Sequence, residues 1–113
     1  MTKFAMVAVG LAMMVAAPML RANPAHDQLT VMSITQRASA LASLLRASDE
    51  RCTSAKRTFY QGSDNKGNAF WNVECSEGSA YMVQVNNDAR GSTRILSCKA
   101  LKAVAGMNCF RKF

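Results

Sequence analysis

The chain has 113 residues, with fourteen Lys and Arg against seven Asp and Glu and a single His, for a formal charge of +7 at neutral pH. That length holds one small domain and excludes a second. One histidine supplies neither the ligands of a zinc site nor a well-held imidazole for Ser–His chemistry.

Residues 1–22 read as a secretory signal peptide: Lys3 near the start, an uncharged apolar run from Phe4 to Leu20, and small Ala22 at the expected cleavage position. The run is somewhat short for a membrane span of ~20 residues, and an uncleaved N-terminal anchor is the competing reading. No cysteine precedes Cys52, so the residue needed at a lipoprotein cleavage site is missing. After cleavage twelve basic and all seven acidic residues remain, a net +5. The expected address is periplasmic or secreted, with no transmembrane span in the mature chain.

Residues 23–32, with Pro24 and His26, read as a flexible leader. Ser33 and Gln36 form a capping box, and Ile34, Ala38, Leu41 and Leu45 recur at helical spacing, which predicts a helix over 34–47. Four strand signals follow. Thr58–Gln61 and Thr93–Cys98 are short β-rich runs; Ala69, Trp71, Val73 and Cys75 alternate with Phe70, Asn72 and Glu74, and Tyr81, Val83 and Val85 alternate with Ala80, Met82 and Gln84. Turn residues at Asp64–Gly67, Ser76–Gly78 and Asp88–Gly91 separate them, predicting an antiparallel meander. The two Asp-x-x-Gly turns, each leading through a strand to a cysteine, are a faint internal echo that independent hairpins also produce. A helical turn through Val104, stopped at Gly106, is expected in the tail. The fold class is thus α+β: one N-terminal helix packed on a four-stranded antiparallel meander, with residues 33–113 as a disulfide-stapled domain.

Four cysteines in a short exported chain predict two disulfides. Cys75 and Cys98 end strands two positions apart, nearly 10 Å, whereas bonded cysteines need Cα atoms within ~7 Å. Pairing of Cys52 with Cys75 and of Cys98 with Cys109 is preferred on this geometry. Cys52 with Cys98 and Cys75 with Cys109 stays open. No Cys-x-x-Cys is present for a catalytic dithiol.

No set of residues assembles as a catalytic centre, and no cofactor or metal is expected. His26 reads as an incidental residue of the leader. Asn86-x-Asp88-x-Arg90 matches part of a calcium loop, but the basic fifth position and Ser97 in place of the bidentate Glu favour a plain turn. Two surfaces stand out: a cationic set, Arg90, Arg94, Lys99, Lys102, Arg111 and Lys112, and the aromatic pair Phe70 and Trp71. Strand alternation sends Phe70 and Trp71 to opposite faces.

The segments Ala69–Gly78, Tyr81–Val83 and Gly91–Cys98 resemble those of small exported proteins of Gram-negative bacteria without an assigned activity. The helix followed by hairpins is similar in element order to the PepSY type of domain, though the cysteines depart from it. That likeness implies a role like those of protease propeptides, inhibitory or periplasmic binding. The expected function is a non-enzymatic exported binding or interaction module for an envelope protein or an anionic surface of lipid or polysaccharide. Export disfavours nucleic acid as a ligand, and the oligomeric state is not legible. The alternatives are an envelope enzyme or redox accessory with cycling cysteines, and a basic protein acting on anionic envelope surfaces.

Overall fold

A computed structural model describes residues 23–113; the expected signal peptide lies outside the described residues. The element order is α1 (Pro24–Val31), α2 (Ile34–Ala47), β1 (Ala55–Ser63), β2 (Ala69–Cys75), β3 (Ala80–Val85), β4 (Thr93–Ser97) and α3 (Cys98–Ala105). The strands form one antiparallel sheet in sequence order, the meander anticipated from the turn residues.

Helix α2 starts at Ser33, whose hydroxyl accepts from the Gln36 amide while the Gln36 side chain accepts from the Ser33 amide, both at 3.1 Å. Its buried face is Leu41, Ala42 and Leu45. Ile34, which the periodicity places on that face, is exposed. Leu41 and Leu45 are fully buried against Val73, Val83 and Val85, each Leu contributing roughly 1.5–3 kcal/mol of burial.

The leader is a correction. Residues 24–31 form a helix rather than a flexible arm, and the local causes are ordinary ones. Asn23 caps it by accepting from the His26 amide, Pro24 occupies the first turn and Asp27 adds a negative charge there. At the other end Arg37 reaches back from α2 and donates to the carbonyls of Leu29, Thr30 and Met32. The buried Asn23 amide also donates to the carbonyls of Gly67 (2.9 Å) and Val85 (3.0 Å), tying the start of α1 to both long hairpins.

Those hairpins close alike. The Asp64 carboxylate accepts from the amides of Lys66 and Asn68, and Asp88 accepts from the amide and hydroxyl of Ser92. The partial calcium-loop pattern is therefore a hairpin turn. Asn87 bonds Asn68 and the Lys66 carbonyl, joining the two turns side by side.

Both disulfides take the preferred pairing: Cys52–Cys75 ties the entry of β1 to the end of β2, and Cys98–Cys109 ties α3 to the tail. Strand β1 is longer than the sequence suggests and carries two irregularities, between Ala55 and Arg57 and between Tyr60 and Gly62. The sheet is covered on both faces. Helices α1 and α2 lie on the inner face, while Leu101 of α3 and the tail cover part of the outer one, so β2 keeps its alternation except at Asn72, which is buried on the outer face as well. The inner core, both disulfides and the tail contacts described above join residues of 23–113 to one another.

Candidate interaction surface

The outer layer is built on a buried polar cluster. At the second irregularity of β1, Gln61 meets Asn72 from β2, whose side-chain amide donates to Gln61 Oε1 at 3.1 Å. Gln61 in turn donates to the carbonyls of Asn108 (3.0 Å) and Arg111 (3.1 Å), and the Asn72 oxygen accepts from the Phe110 amide at 2.7 Å. Two neutral side chains thus satisfy three backbone groups of the tail, where water would otherwise compete for them. Phe110 adopts φ 62°, a left-handed conformation costly for a bulky residue. The Asn72 bond holds it there, and its ring lies 3.8 Å beneath the Arg57 guanidinium and beside Phe59. Arg57 is itself anchored by Glu74, which also pairs with Lys56.

Beyond Phe110 the chain turns back along β1. The Phe113 amide donates to the Gln61 carbonyl, and the Phe113 ring meets Phe70 edge-on at 5.3 Å. Gly62 lies directly beneath; a Cβ there would approach the ring to 2.8 Å. Gln61, Met107, Asn108, Arg111, Lys112 and Phe113 border a depression of about 250 Å³. Lys102 donates to the Asn108 side chain and so brings α3 to its rim.

Four of the expected surface cations, Lys99, Lys102, Arg111 and Lys112, are exposed on α3 and the tail. Lys112 stacks over the Tyr60 ring at 4.4 Å. Arg94 is exposed on β4, opposite Gln84. Arg90 stands apart, in the β3–β4 turn at the far end of β4 from α3, where it helps hold the Asp88 carboxyl below its usual range. Phe70 is half covered by Phe113. Trp71 is not a surface residue: it is 3 % exposed on the inner face, with its indole N–H donating to His26 Nδ1 at 3.0 Å. Alternation separated it from Phe70 correctly, but the docking of α1 supplied its cover.

His26 is therefore no incidental residue. It packs against Tyr60 and Trp71, and Arg37 lies 5.1 Å over the indole. Burial holds its pKa below the ordinary value, against a smaller opposing pull from Asp27. Three carboxylates are committed locally: Asp64, Asp88 and Glu77 are each held below their usual range, mainly by side-chain hydrogen bonds from Asn68, Ser92 and Thr53 respectively. Among the described residues the ion pairs are those of Lys56 and Arg57 with Glu74, no group of three His, Cys, Asp or Glu comes together to hold a metal ion, and no cysteine is free.

Sequence reasoning pointed to the cations of α3 and the tail, but missed the Gln61–Asn72 cluster that positions them. Two buried amides on neighbouring strands leave no spacing signal. Comparison with protein-family models, with curated proteins and with solved structures finds no match.

Proposed function

We propose that this protein is an exported, non-enzymatic interaction module that offers its cationic C-terminal layer to an anionic partner of the bacterial envelope. The observation that carries this reading is the distribution of charge along the chain. Residues 89–113 contain six Lys and Arg and no Asp or Glu, and Lys99, Lys102 and Arg111 among them are exposed and make no ion pair among the described residues. A cationic surface held on a fixed scaffold attracts anionic partners and accelerates encounter with them. The two disulfides suit an oxidising compartment, and the charged start and apolar run of residues 3–20 followed by Ala22 support export.

Crosslinking in intact cells, followed by affinity capture and mass spectrometry, tests the proposal against a Lys99→Gln/Lys102→Gln/Arg111→Gln variant. A set of crosslinked envelope components, lipid or protein, is expected from the wild type and not from the variant. Identical capture from both chains would remove this surface from the function.

A further inference from the structure

The tail shows apolar side chains to water as well as cations. Val104 is 77 % exposed and Phe113 60 %, and Met107 is also exposed. Core filling does not account for Phe113, yet its ring is not loose. It rests edge-on against Phe70, has the bare Gly62 backbone beneath it, and follows a left-handed Phe110 that redirects the chain along β1. Local strain is accepted here to hold an apolar ring at the surface. Arg111 and Lys112 border the same depression as Met107 and Phe113, Lys102 reaches its rim through Asn108, and residues 89–113 contain no Asp or Glu.

We infer that the partner of this surface is an anionic lipid bilayer, with Phe113 and Met107 entering the headgroup boundary and Lys99, Lys102 and Arg111 meeting lipid phosphates. The inference rests on the reading of this layer as an interaction surface. A soluble polyanion satisfies the cations but gives the apolar side chains nothing to enter, whereas a bilayer satisfies both. The tail is already ordered by Gln61, Asn72 and the Cys98–Cys109 bond, so docking orders little further chain.

The test uses the oxidised chain of residues 23–113 in co-sedimentation with vesicles of phosphatidylcholine alone or mixed equally with phosphatidylglycerol, and in binding to dextran sulfate. Wild type is expected on the phosphatidylglycerol vesicles and not on the neutral ones. Lys99→Gln/Lys102→Gln/Arg111→Gln is expected to bind vesicles and dextran sulfate at least about tenfold more weakly. Met107→Ser/Phe113→Ser is expected to lose about tenfold on vesicles and nothing on dextran sulfate. Equal vesicle binding by wild type and the apolar variant would overturn the bilayer as partner. Binding to dextran sulfate but not to vesicles would do the same while leaving the interaction module standing, and binding to neither would overturn both. Should the double serine variant unfold, Phe113→Trp replaces it: its added emission is expected to shift to shorter wavelength on phosphatidylglycerol vesicles, and an unshifted spectrum would count against insertion.

Discussion

Asn72 is the residue on which the outer layer most depends. It is fully buried, and its amide group serves a side chain and a tail amide at once. Asn72→Ala leaves the Gln61 side-chain oxygen and the Phe110 amide without their partner, and is expected to lower stability by about 1–3 kcal/mol in urea unfolding. Because one of the lost bonds holds the Phe110 amide, the same variant should show faster amide exchange at residues 108–113 than in α2. Uniform loss of protection would mean that the cluster supports the whole core rather than the tail. Nothing in the residue pattern announces this role, since an outward-facing Asn between Trp71 and Val73 looks like an ordinary solvent-facing position of a half-buried strand.

At the scale of elements, what was legible followed from local chemistry. The capping box gave the start of α2, the Asp-x-x-Gly turns gave the hairpins, and the meander order then favoured Cys52–Cys75 with Cys98–Cys109. Helix α1 was missed although its signals were present: Asn23 as a cap, Pro24 just inside it and Asp27 in the first turn. It buries only Leu29, so the apolar period that reveals a helix was absent, and tertiary contacts supply the stability that propensity does not. Docking of α1 through His26 gives it a pH dependence. Protonation of His26 Nδ1 would set two donors against each other at Trp71 Nε1, next to the Arg37 guanidinium, with Tyr60 and, above it, Lys112 on the remaining side and only Asp27 favouring the cation. Its folded pKa is below the unfolded 6.5, so the unfolded chain binds the proton more readily and stability falls as pH drops through 6.5. Asp64, Glu77 and Asp88 have depressed folded values; their contribution is present above the unfolded values near 4 and is lost only as pH falls below them. Unfolding midpoints measured from pH 8 to pH 3 should therefore decline in two steps, and His26→Gln should flatten the upper step while leaving the lower. An unchanged upper step in that variant would assign it to another group.

Across the whole molecule, the sheet is a septum between two layers held by different means. The inner layer rests on apolar burial and the Cys52–Cys75 bond, whereas the outer one rests on a few amides, stacked rings and the Cys98–Cys109 bond. Closing loops of these lengths stabilises by roughly 3 kcal/mol per bridge. Cys98→Ser/Cys109→Ser is expected to lose about that amount and to open the tail to trypsin at Lys102 and Arg111 while the inner layer stays closed. Equal protease resistance in wild type and variant would show that the Gln61–Asn72 cluster alone suffices. Both disulfides and the α+β class were within reach of the sequence. The second layer was not, because its apolar content is spread over isolated residues, Phe59, Phe70, Leu101 and Phe110, that form no periodic stripe.

The two bonds from Asn23 to Gly67 and Val85 span 44 and 62 residues. An eight-residue helix does not persist alone in water, and its N-terminal anchor has no acceptors until both long hairpins have formed side by side. Helix α1, first in chain order among the described elements, is therefore among the last of them to be fixed, because its acceptors exist only in a nearly complete sheet.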